Sequence, residues 1–153
     1  MTYTDLHIPS LVSDGSMTPE EIAAYAKKRG LSAFALTDHD NIAGDAAAEK
    51  AARELGLGFV PGMELSVRFH GRKLHIVCLG FDREHPSFQK FYKKVRASKE
   101  AKIHEIVSFV RARGIKITME DVERFAYGLA DRYAIMRYLV SLHLYEHAQP
   151  LWD

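Results

Sequence analysis

Across the first eighty residues, short apolar runs stop at knots of polar residues, and helical patterns separate the runs. That alternation is what most narrows the fold. Residues 33–36 are apolar and end at Thr37-Asp38-His39-Asp40, which reads as a buried strand running into a polar loop. A helix is expected on either side. The first opens with Thr18 as cap, Pro19 in the first position, and Glu20 and Glu21 at the positive end of the dipole. Its apolar face is Ile22, Ala23 and Ala26, and Gly30 stands where a left-handed stop is needed. The second covers residues 43–55 and stops at Gly56. Residues 58–60 read as another strand, broken by Pro61-Gly62 before residues 64–67. His70-Gly71 reads as a hairpin turn, and residues 74–79 as a further strand ended by Gly80. Strand and helix thus alternate at least twice, the pattern of an α/β protein with parallel strands. Ligands and catalytic groups gather at the C-terminal ends of such strands.

After residue 85 the pattern becomes helical. Phe88, Phe91, Tyr92, Val95, Ile103, Ile106, Val107 and Val110 keep helical spacing up to Gly114. Residues 115–117 are the last stretch with strand character. Thr118 and Asp121 form a capping box for a short helix, and another starts after Asp131 through Ile135, Leu139 and Leu142. The expected division is an α/β part over residues 1–82 and a helical part over residues 83–153.

Bulk properties exclude some functions. The 153 residues suit one domain with a real core, and 21 basic against 20 acidic side chains leave a net charge of +1. That balance does not suggest wholesale binding to nucleic acid or an anionic membrane. No run approaches the roughly 18 apolar residues of a membrane span, and no secretory leader is read at the start. Cys78 is the single cysteine, which forbids an internal disulfide and fits a cytoplasmic location.

The candidates for chemistry are His7, Asp14, His39, Glu64 and His75, each at or near the end of an expected strand. Imidazole with carboxylate suits Zn, Mn or Fe better than Ca or Mg. A carboxylate such as Glu64 can bridge two cations, and a pair of cations about 3.5–4 Å apart can activate water against a phosphoryl group. No nucleophile elbow, P-loop or dinucleotide fingerprint competes. Taken singly, each candidate also has a plainer reading. Lone histidines are mostly surface residues, Asp14-Gly15 is a turn, Asp38 and Asp40 are turn-formers or caps, and Glu64 can pair with Arg68 or Arg72. His70, His85, His104, His143 and His147 sit in turns or on helices and keep that plainer reading.

The stretch DLHIPSLVSDG, the Pro19-Glu20-Glu21 helix, TDHD, Pro61-Gly62-Met63-Glu64 and HIVCLG (residues 75–80) resemble, in order, the motifs of the PHP family of polymerases and histidinol phosphatases. Residues 81–100 and 130–140 resemble the helical insertion of one branch, the nucleotide-directed phosphoesterases. That branch includes 3′,5′-nucleoside bisphosphate phosphatases and 5′-to-3′ exonucleases. The resemblance implies the N-terminal portion of a distorted (β/α)7 barrel followed by a helical insertion subdomain.

It further implies a metal-dependent phosphoesterase with up to three divalent ions (Mn, Zn or Fe). His7 and Glu64 would hold one, Glu64 and His75 a second, Asp14 and His39 a third. Lys93, Arg96 and Arg132 match or neighbour positions that reach the substrate phosphate, on a nucleotide or a short oligonucleotide. Two departures stand against this. Pro9 occupies the place of the second histidine of H-x-H and offers a metal no lone pair. The later motifs, a histidine and a closing D-x-H, are not in the chain, and a complete barrel of this kind needs roughly 250 residues. The alternative is therefore a degenerate or truncated domain with a binding or structural role. Open strand edges would also favour a homo-oligomer.

Overall fold

The computed structural model describes residues 2–144, so His147 and the chain end lie outside the described residues. The elements run β1 (Tyr3–Ile8), α1 (Pro19–Lys28), β2 (Leu31–Leu36), α2 (Asp45–Glu54), β3 (Gly58–Val60), β4 (Gly62–Phe69), β5 (Arg72–Leu79), α3 (Pro86–Ala112), α4 (Met119–Arg124) and α5 (Arg132–Ser141). They fall into two compact units that divide between Phe91 and Tyr92.

In the first unit β2 is the centre of a parallel sheet ordered β1-β2-β3. A strand of a parallel sheet is apolar on both sides where both of its faces are covered. Phe34, Ala35 and Leu36 accordingly have no exposed surface. Burying Phe34 and Leu36 contributes about 1.5–3 kcal/mol each. Ile22, Ala23 and Ala26 of α1 and Ala48 and Ala52 of α2 join the same cluster, their small side chains keeping both helices near the sheet. Thr18 and Glu21 cap α1 reciprocally, as the sequence predicts. Strands β4 and β5 form an antiparallel hairpin that turns at His70 and Gly71, both in the left-handed region. Its β5 side leaves Leu74, Ile76, Val77 and Leu79 exposed.

The hairpin starts against the end of β2. A side chain on Gly62 would place its Cβ 2.1 Å from the Leu36 carbonyl oxygen, so only glycine allows this approach. His39 and Glu64 then pair as an isolated parallel bridge, the Glu64 amide donating to Asp38 O and the Asp40 amide to Glu64 O.

The second unit has a helical core. Ile103, Val107 and Val110 of α3 pack with Ile117, Val122, Ala134, Ile135 and Leu139. Thr118 and Asp121 form the expected capping box, and Asp131 caps α5 by accepting from the Ala134 amide. The strand character of residues 115–117 is not realised. Ile117 is buried in the helical core instead. Side chains take over the backbone pairing, with Arg111 donating to Ile117 O and the Tyr138 hydroxyl to Lys116 O. Among the described residues no helix is long and apolar enough to cross a membrane.

Candidate metal centre

The ligand candidates of the first unit come from separate elements, and the end of β2 is where they meet. His39 lies one bridge beyond that strand and is 8% exposed. Glu64 lies on β4 and His75 on β5. Ladder partners Glu64–Val77 and Ser66–His75 put Glu64 and His75 on one face as a diagonal pair. His75 Nδ1 is 2.9 Å from Glu64 Oε1, and His39 Nε2 is 3.6 Å from Glu64 Oε2. The His39 and His75 rings meet edge to face with centroids 4.6 Å apart. One donor atom from each of His39, Glu64 and His75 lies within 4.8 Å of the others.

Asp14 and His7 flank this trio. Asp14 Oδ2 is 3.6 Å from His39 Nε2. His7 Nε2 is 3.9 Å from Glu64 Oε2, and its Nδ1 shares a 2.7 Å hydrogen bond with the Thr37 hydroxyl. Its side chain is 55% exposed. Two donors bound about 2.1 Å from one ion at a tetrahedral angle stand about 3.4 Å apart, so separations of 3.6–3.9 Å are close to shared coordination. Glu64 turns one oxygen to His75 and the other to His7 and His39, the disposition of a bridging carboxylate.

The segment between β2 and α2 fastens the surrounding pieces. Thr37, Asp38, Asp40 and Asn41 are all buried. Thr37 orients His7. Asp38 accepts from the Ser10 amide at 2.8 Å, the Ser10 hydroxyl at 2.7 Å and the Ser13 hydroxyl at 2.6 Å. Burial pushes its carboxyl above the usual range, and the Ser13 and Ser10 hydrogen bonds work against that. Asp40 sits at φ 53° and accepts from the Ser66 amide at 2.7 Å, tying β4 down beside Glu64. Reading Asp38 and Asp40 as turn-formers missed these roles. The available signal was four polar residues in a row directly after a buried run.

The other expected residues fall elsewhere. Lys93 and Arg96 lie on α3 and Arg132 opens α5, all in the second unit. Lys93 is exposed, Arg96 faces Glu100 at 4.0 Å, and the Arg132 guanidinium donates to the Tyr133 hydroxyl. Pro9 follows β1, exposed, with no side-chain donor. A cavity of about 550 Å³ between β1 and α1 includes His7 and Pro9 but not Asp14, His39, Glu64 or His75, so its place is beside the cluster.

Comparison with known proteins identifies the family. The chain is 37% identical over 138 residues to a 5′-3′ exoribonuclease of Haemophilus influenzae, covering 90% of this chain and 50% of the relative. It is 36% identical over 115 residues to a 3′,5′-nucleoside bisphosphate phosphatase of Chromobacterium violaceum, covering 75% of this chain and 40% of that protein. A solved amidohydrolase from Chromobacterium violaceum, with bound sulfate and no metal, superposes with a TM-score of 0.83 at 30% identity, over 97% of this chain and 53% of its own. The chain thus spans about half the length of the curated relatives it matches. The family model of the PHP domain matches residues 5–127, and on that match the chain belongs to the PHP domain family.

Proposed function

We propose that this chain carries the ligand-bearing part of a metal-dependent phosphoesterase, which hydrolyses a phosphate ester of a nucleotide or short oligonucleotide. The observation that carries the reading is the convergence of His39, Glu64 and His75 within 4.8 Å. The donor set fits a divalent transition metal, since imidazole and carboxylate together suit Zn, Mn or Fe. His7 and Glu64 would hold one ion, Glu64 and His75 a second, Asp14 and His39 a third. Bound ions supply a Lewis acid for a phosphoryl oxygen and a water acidic enough to attack near neutral pH.

The chain's own residues prepare that site. Thr37 holds the His7 ring so that Nε2 is turned toward Glu64. The backbone bridge of His39 to Glu64 fixes both ligands on rigid elements. Lys93, Arg96 and Arg132, in the second unit, are proposed as phosphate-binding residues on the family resemblance alone. The activities for which the relatives are named, on RNA and on nucleoside bisphosphates, support the nucleotide class.

The test has two arms. Metal retained after dialysis is measured on this chain and on Glu64→Gln, with retention by the former and loss by the variant expected. Phosphate release from nucleoside monophosphates, bisphosphates and short RNA is measured on the uninterrupted gene product with Mn²⁺. Bound metal without phosphate release on any substrate would sink the reading. It would leave a degenerate binding domain, which Pro9 and the exposed side chain of His7 favour.

A further inference from the structure

We infer that Asp38 is a positioning residue that holds Asp14 beside His39. The inference rests on the reading of Asp14 as a metal ligand. Asp14 itself lies in a loop with no regular structure, between β1 and α1. Such a loop samples many conformations unless side chains restrain it. Here the restraint is a buried knot. Ser13 and Gly15 both donate their amides to Ser10 O, closing the turn around Asp14. Ser10, Ser13 and Asp38 are each 1% exposed or less. Asp38 accepts from the Ser10 amide, the Ser10 hydroxyl and the Ser13 hydroxyl.

Ser13 makes the link to Asp14. Its hydroxyl oxygen is 2.6 Å from Asp38 Oδ1 and 3.0 Å from Asp14 Oδ1. One hydroxyl proton serves one acceptor at a time, and the shorter distance assigns it to Asp38, so Asp14 is held through its peptide bond to the anchored Ser13 and not by that proton. Asp14 Oδ2, on the other oxygen, is the atom turned to His39. Asp38 and His39 are chain neighbours, so the anchor and the ligand it serves share one rigid strand end. The loop is thereby registered on the ligand it must meet.

Substitution Asp38→Asn keeps the shape but puts an amide among three donors, at least one of which loses its acceptor. Outer partners of metal ligands are worth about 10–100-fold in affinity. The experiment measures Co²⁺ affinity for the chain, Asp38→Asn, Asp14→Ala and the double variant. It also measures hydrogen exchange at Ser13 and Gly15 in metal-free protein. We expect about 10-fold weaker binding in Asp38→Asn, and a further change of no more than about twofold when Asp14 is already Ala. Exchange at Ser13 and Gly15 should quicken while α2 stays protected. Ser13→Ala, which removes the hydroxyl that anchors this turn to Asp38 and leaves the two Ser10 donors in place, should show the same pattern if Asp38→Asn does not fold. An equal loss with and without Asp14, or unchanged exchange in the loop, overturns the assignment. If the chain binds no Co²⁺ at all, the metal reading fails, and the exchange data still decide whether Asp38 anchors the loop.

Discussion

Asp45 gives the sharpest prediction about stability. It opens α2, is 1% exposed, and its Oδ2 has no hydrogen-bond partner among the described residues. Burial raises its carboxyl from 3.8 to about 7, against the pull of the Arg83 guanidinium and of the Gly62 amide. The folded chain therefore holds this proton more tightly than the unfolded chain. Between about pH 4 and pH 7 the folded state keeps it while the unfolded state has lost it, so stability from this group falls as pH rises and levels off above pH 7. The gap from 3.8 to about 7, at about 1.4 kcal/mol per pH unit, makes ionised Asp45 cost about 4 kcal/mol at pH 8. Asp45→Asn stays neutral at every pH and escapes that cost. Its gain should be under about 1 kcal/mol at pH 4, about 2 at pH 5.5 and about 4 at pH 8. Urea unfolding followed by circular dichroism, with hydrogen exchange at the α2 amides, reads this as a midpoint raised by roughly 2 M at pH 8. An equal gain at pH 4 and pH 8, or a loss at pH 8, refutes the reasoning. Arg83 would then outweigh burial, and the carboxylate would be ionised throughout.

Gly15→Ala puts a Cβ 2.3 Å from the Pro9 carbonyl oxygen, with only Pro9 and Ser10 backbone atoms as its nearest neighbours and no flexible side chain among them to yield. It should destabilise the first unit by about 1–3 kcal/mol and weaken metal binding with it; a variant with unchanged melting and unchanged Co²⁺ affinity contradicts the close approach. Pro9→His restores an imidazole at an exposed position beside His7. It should increase the metal retained after dialysis, and no increase counts against an ion held by His7 and Glu64.

Much of the fold is legible in the sequence. Thr18, Pro19 and Gly30 punctuate α1 through purely local chemistry, so its bounds follow from them. The β4–β5 hairpin was equally legible, because His70-Gly71 needs nothing beyond its own backbone. His7, Asp14, His39, Glu64 and His75 stood out as polar residues at strand ends, and the fold brings them together there. What could not be read was burial of polar groups. Asp38 and Asp45 carry the same side chain, yet one is ringed by serines 25 and 28 positions away and the other is opposed by Arg83. Both environments are made by sequence-distant chain, which local propensity does not register. Residues 115–117 failed as a strand because their carbonyls are met by helix side chains, Arg111 six positions back from Ile117 and Tyr138 22 positions on from Lys116, and not by a neighbouring strand.

The bridge between His39 and Glu64 has one more consequence. It fastens the β4–β5 hairpin to the parallel sheet through short backbone bonds at residues 38–40, and the two bridged residues, His39 and Glu64, are the proposed ligands on either side of the seam. A cation gripped across that seam would act as a rivet between two sheets. Its binding free energy adds directly to the work of prising the hairpin away, in proportion to RT ln(1 + [L]/Kd). Chelation would loosen the joint before it touched the cores on either side.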